Sequence, residues 1–132
     1  MNPVKDNIID KIKNKSVSLS QNQIANLCNR RKGIGADGLI LISNSKDGDF
    51  MMQYYNADGL EGSLCGNGAR CAILFASESG RLKDNKAEFV SNGLEHKGEV
   101  LSETEIKFYL NPPKKIKYNF KVKAGGKLIN AH

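Results

Sequence analysis

Cys65-Gly66-Asn67-Gly68 is the segment whose residue types and order suit proton transfer at carbon, because it runs directly into a stretch of helix formers. A thiol works as an acid and base near neutrality only if its thiolate is stabilised, and the free N–H groups at a helix N-terminus do this. Cys65 stands at such a position. Gly66, Asn67 and Gly68 follow it with backbone N–H groups that carry little steric cover, so a substrate carboxylate could dock on the same helix end. One terminus would then hold the acid group and tune the base that removes the neighbouring α-proton. On residue type alone, the competing reading of Cys65 is a small buried hydrophobe before a glycine-rich turn. Cys71 lies on the helix itself and Cys28 on the core face of another, so both read as packing residues. His96 and His132 have no metal-ligand spacing.

The helix behind Cys65 is expected over residues 69–79, stopped by Gly80. Its middle, 71–76, is apolar all round, which predicts a helix surrounded by protein. A strand over 49–56 leads into the turn residues Asn56-Ala57-Asp58-Gly59, which bring the chain back towards Cys65. Upstream, Ser20 and Gln23 have capping-box spacing, and Ile24, Leu27 and Cys28 then share one face of a helix ending near Arg30. Gly33 to Gly38 matches the GxGxxG pattern of dinucleotide-binding folds, but in reversed context. That pattern needs a strand before it and a helix after it, whereas here a helix precedes and Leu39-Ile40-Leu41-Ile42 follows as a strand. Further strands are expected over 87–91, 94–101, 105–110, 116–122 and 127–131, separated by Asn92-Gly93, Ser102-Glu103, Pro112-Pro113 and Gly125-Gly126. The fold class that accommodates one apolar helix and many short strands is α+β, a largely antiparallel curved sheet wrapped around a central helix.

With 132 residues, 39% hydrophobic and 26% charged, the chain has the size and composition of one globular domain. The net charge of +6 raises the question of a nucleic-acid partner. Lys114, Lys115, Lys117, Lys121 and Lys123, however, interleave with Ile116, Tyr118, Phe120 and Val122, the pattern of a half-buried strand with one wet face, so no nucleic-acid partner is expected. The longest apolar run, 71–76, falls far short of the roughly 20 residues that span a bilayer, and the first ten residues lack a signal pattern. No membrane association and a cytoplasmic location are expected. Three cysteines without paired spacing predict reduced thiols.

Three segments in register, residues 30–38 (Arg-Arg-Lys-Gly-Ile-Gly-Ala-Asp-Gly), Asn56-Ala57-Asp58-Gly59 and Cys65-Gly66-Asn67-Gly68-Ala69-Arg70-Cys71, closely resemble the diaminopimelate epimerase family. The resemblance implies an isomerase that interconverts LL- and meso-diaminopimelate, on the route to lysine and peptidoglycan, without pyridoxal phosphate, metal or other cofactor. Two cysteines carry that reaction from opposite faces of the α-carbon. Carried to matching positions, Cys65 is one of the pair, Gly66 and Asn67 bind the substrate's α-amino-acid head, Asn56 contacts it from the preceding loop, and Gly38 aligns with a position that lines the pocket in some members. The family's fold of two similar α+β halves implies that residues 1–132 are the N-terminal domain. Two departures are expected: Met1 to Asn7 lacks the usual opening strand with its glycine-rich, asparagine-bearing segment, and the second half, with its cysteine and arginine, lies outside the chain. One base cannot complete a two-base inversion, so this chain alone is expected to be inactive. The alternative is a non-catalytic ligand-binding or assembly domain that keeps the anion-binding helix end. Whether copies pair into a homodimer is left open.

Overall fold

The computed structural model describes residues 6–12, 14, 17–112, 120–124 and 127–131, with the backbone alone for 6–7 and beyond 112. The run Leu39-Ile40-Leu41-Ile42 organises it, since a strand without polar alternation must be covered on both faces. This strand is β2 (Gly38–Ser43), and all four of those residues are buried. Ile40 and Ile42 join the main core with Phe50, Met52, Tyr54, Ala69, Ala72, Ile73 and Phe89. Leu39 and Leu41 face the other way, into a smaller core with Ile24, Cys28 and Ala36.

That smaller core is roofed by α1 (Gln21–Cys28), whose N-cap Ser20 forms the full capping box with Gln23 as the spacing predicts. The main core is filled by α2 (Gly66–Glu78). Around α2 runs a six-stranded sheet in the order β1 (Asp6–Asp10), β2, β3 (Phe50–Asn56), β4 (Lys86–Ser91), β5 (Leu94–Ser102) and β6 (Glu105–Tyr109). The helix touches β1, β2, β3, β5 and β6, so the sheet curves round it. Three of the five pairings are antiparallel and two, β1 with β2 and β3 with β4, are parallel. The expectation of an α+β fold with a curved sheet about a central helix therefore holds, with a more mixed sheet. A separate hairpin pairs β7 (Phe120–Ala124) with β8 (Lys127–Ala131).

Local chemistry explains the turns. Asn92 and Gly93 both have positive φ, 52° and 72°, as a two-residue hairpin demands, and they join β4 to β5. The Gly33–Gly38 segment is a loop closing the end of α1: the amides of Gly35 and Ala36 donate to the carbonyls of Leu27 and Cys28 at 3.0 Å. A Cβ on Gly33 would come within 2.1 Å of the Asn26 carbonyl oxygen, so these glycines have a packing cause.

Two expectations need correction. No strand is anticipated at the start of the chain, yet β1 lies there in parallel register with β2, Asp6 opposite Gly38. Nor is α2 enclosed on every side. It buries the stripe Gly68, Ala69, Ala72, Ile73 and Ala76, while Cys71, Leu74 and Phe75 are half-buried and Arg70 is exposed. Apolarity all round shows that a helix can be covered on all sides; it does not show which neighbours this chain provides. Residues 1–5, most of the strand expected over 116–122 with Lys114, Lys115 and Lys117, the turn Gly125-Gly126 and His132 lie outside the described residues. Among the described residues no helix is long and apolar enough to cross a membrane.

Candidate active site at the N-terminus of the central helix

Strand β3 delivers Asn56 to one end of the sheet, and β2 begins there with Gly38 directly opposite it. The chain then turns tightly: the Asn56 amide donates to the Leu60 carbonyl and the Gly59 amide to the Asn56 carbonyl, both at 2.9 Å. The Leu60 amide is held by the Asp58 carboxylate, also at 2.9 Å. Returning antiparallel to β3, the segment bridges Glu61 to Tyr55, and the Gly62 amide donates to the Tyr54 carbonyl at 2.9 Å. Burial, then the Glu61 carboxylate, push the Tyr55 phenol above its ordinary range, so it stays protonated. Three residues after Gly62 the chain reaches Cys65.

Cys65 is the N-cap of α2, with extended backbone (φ −98°, ψ 132°), and its side chain makes no capping hydrogen bond. Its carbonyl accepts the Ala69 amide at 2.8 Å, which starts the helical ladder. The amides of Gly66, Asn67 and Gly68 thus belong to the first turn, where N–H groups have no intrahelical acceptor. Cys65 is a free cysteine, half-buried as a residue and packed against the main core. It is neither sealed in the interior nor fully exposed. Gly68 is buried beneath it, packed on Ile40, Met52 and Tyr54.

The residues singled out in the sequence therefore gather at one end of the fold, with differing exposure. Asn56 and Asn67 are exposed and Gly66 half-buried, so all three can meet a ligand. Gly38 is buried: a Cβ there would lie 2.5 Å from the Tyr54 hydroxyl and 2.7 Å from the Tyr55 carbonyl oxygen. Its identity has a packing cause whatever else it does. Cys28, the last residue of α1, is buried in the smaller core and Cys71 lies half-buried on α2, in the packing positions read for them. His96 is buried among Phe89 and Phe108, its Nδ1 3.3 Å from the Asn111 amide nitrogen. Among the described residues no cluster of three or more His, Cys, Asp or Glu side chains could hold a metal.

Two neighbours of the tip have no assigned role in the sequence reading. The Arg70 guanidinium, reaching back along the helix, donates to the Asn67 side-chain oxygen. The spacing of i to i+3 was a signal for that pair. Tyr54 is the other, and only the fold reveals its contacts. One cleft of about 620 Å³, lined by Leu74, Ser77, Asn85, Val100 and Thr104, sits at the opposite end of α2. At the tip itself Asn67 and Arg70 are exposed, Cys65 and Gly66 half-buried and Gly68 buried.

Solved structures share this architecture. A Bacillus anthracis phenazine biosynthesis protein of the PhzF family superposes with a TM-score of 0.53 at 19% identity, over 71% of this chain and 29% of that one. A methylitaconate-delta-isomerase gives 0.52 at 12% identity, over 93% and 76%. At such identities the likeness defines the fold: one α+β sheet curved on a helix. Sequence comparison is sharper. The family model for diaminopimelate epimerase matches residues 6–116, and the chain belongs to that family. A diaminopimelate epimerase of Chlorobaculum tepidum is 42% identical over 97 residues, 73% of this chain and 38% of the relative. One from Aquifex aeolicus is 38% identical over 107 residues, 79% of this chain and 38% of that protein. The chain thus spans less than two-fifths of the length of these relatives.

Proposed function

We propose that this chain supplies one half of a cofactor-independent epimerase site for diaminopimelate, with Cys65 as one of two acid/base thiols. The observation that carries the reading is a half-buried free cysteine at an uncapped helix N-terminus, in a chain of this family. The Cys65 thiolate takes the α-proton from one face of the substrate, and a second thiol on the opposite face returns a proton to the carbon. The amides of Gly66 and Asn67 receive the α-carboxylate at the positive end of the helix. Asn56 supports the amino-acid head from the β3 turn, and Gly38 closes the floor behind it. The opposing thiol belongs to a second half outside these residues, facing the Cys65 tip. The product enters the supply of lysine and peptidoglycan precursor.

Incubation of the 132-residue chain with LL-diaminopimelate in D₂O tests the division of labour. The expected result is no meso product; robust inversion by this chain alone overturns the one-thiol assignment. Alkylation tests the thiol itself. Iodoacetamide is expected to modify Cys65 at pH 7 faster than it modifies a cysteine peptide, and diaminopimelate to slow it. A thiol no faster than the peptide, yet still shielded by ligand, would favour the non-catalytic binding domain instead.

A further inference from the structure

Tyr54 is the side chain through which the three parts of the site touch one another. It sits on β3 two residues before Asn56 and is 9% exposed. A Cβ built on Gly62, in the loop leading to Cys65, would lie 3.1 Å from Cδ1 of the ring. One built on Gly68, in the first turn of α2, would lie 3.6 Å from Cδ2, the opposite edge. At the ring's far end a Cβ on Gly38 would meet the hydroxyl at 2.5 Å and Cζ at 2.8 Å. Glycines therefore stand where the ring abuts the incoming loop, the helix tip and the start of β2. The Gly62 position also crowds the Asn56 side chain, whose amide nitrogen would be 2.8 Å from a Cβ there.

We infer that Tyr54 is a positioning residue: its ring is the spacer that sets where Asn56 stands relative to the Cys65–Gly68 helix tip. The inference rests on the proposed function for its catalytic meaning, but its geometric content stands apart. An aromatic ring is suited to the task. It is rigid beyond two rotatable bonds, and close-packed neighbours transmit a change in its volume instead of absorbing it. An aliphatic replacement leaves Gly62 and Gly68 without a wall between them, whereas phenylalanine keeps both ring edges and loses only the hydroxyl beneath Gly38. The sequence holds a built-in control, because Phe50 lies on the same face of β3, fully buried, at the end away from Asn56.

The experiment compares Tyr54→Leu, Tyr54→Phe and Phe50→Leu in the 132-residue chain. The first readout is the amide NMR spectrum. Tyr54→Leu is expected to displace the Asn56 side-chain amide together with the backbone amides of Gly62, Gly66 and Gly68, and Phe50→Leu to leave them in place. Displacement confined to β3, or equal displacement by both leucine variants, overturns the inference. The second readout is the diaminopimelate concentration that half-protects Cys65 from iodoacetamide. It is expected to rise at least tenfold in Tyr54→Leu and to stay within threefold of wild type in Tyr54→Phe and Phe50→Leu. Equal protection in wild type and Tyr54→Leu also overturns the inference. If diaminopimelate fails to protect even the wild type, the proposed function fails, and the amide resonances alone decide for or against Tyr54.

Discussion

The β1–β3 half of the sheet and the β4–β6 half are built on different terms. In β2, alternate residues face alternate cores: Ile40 and Ile42 meet α2, Leu39 and Leu41 meet the smaller core under α1. In β4, Ala87 and Phe89 face the main core, while Lys86 and Glu88 face water. The outer surface of the second half is a charge ladder, with Lys97 paired to Glu88 at 3.3 Å and Lys86 opposite Glu99. Asn56 and Gly38 belong to the doubly covered half. The groups proposed to meet substrate are thus anchored where backbone displacement would disturb packing on two sides.

Leu41→Ala probes the doubly covered half most directly and is expected to cost about 3 kcal/mol in a urea titration, through lost burial and a residual cavity. Asp10→Ala should follow. Asp10 ties β1 to Arg81 after α2 at 2.6 Å, with both side chains largely buried, and loss of the carboxylate leaves the guanidinium only the Ser79 hydroxyl and the Phe75 ring among the contacts described, at a cost of about 2 kcal/mol. Ser20→Ala removes the cap of α1 and is expected to cost about 1 kcal/mol. If these three cost no more than surface changes, the two halves do not differ as described.

Two smaller effects sharpen the contrast from the other half. Burial, opposed in part by a hydrogen bond to the Ser91 backbone, holds the His96 imidazole below its ordinary value. Above about pH 6.5 the imidazole is neutral in folded and unfolded chains alike; below it the unfolded chain takes up a proton that the folded one resists. Stability is therefore expected to fall between pH 7 and 5, and His96→Phe to flatten that slope in urea titrations at each pH. Glu88→Ala, at the exposed ladder, should change stability by less than about 0.5 kcal/mol.

Local signals in the sequence account for much of this fold. Ser20 with Gln23, Asn92 with Gly93, and the unbroken apolar run of β2 each carry their structural meaning within a few residues, and so does Cys65 before a helix. What is not legible depends on distant partners. Only Ile8 and Ile9 mark β1 as apolar, and its strand character comes from parallel pairing with β2 some 30 residues away in sequence. The half-open face of α2 is invisible to periodicity because the composition is apolar throughout. The family resemblance gives Gly38 a pocket position, but the Tyr54 ring against it belongs to the next strand, so its packing role emerges only once β2 and β3 pair.

Cys65 occupies a position where serine, threonine, aspartate or asparagine would fold back onto a first-turn amide, typically gaining about 1 kcal/mol. The cysteine makes no such bond. A library of variants ranked by melting temperature would therefore tend to replace this residue and seal the helix end with the protein's own side chain. Screening for robustness would then select against the uncapped amides on which the proposed carboxylate docking depends.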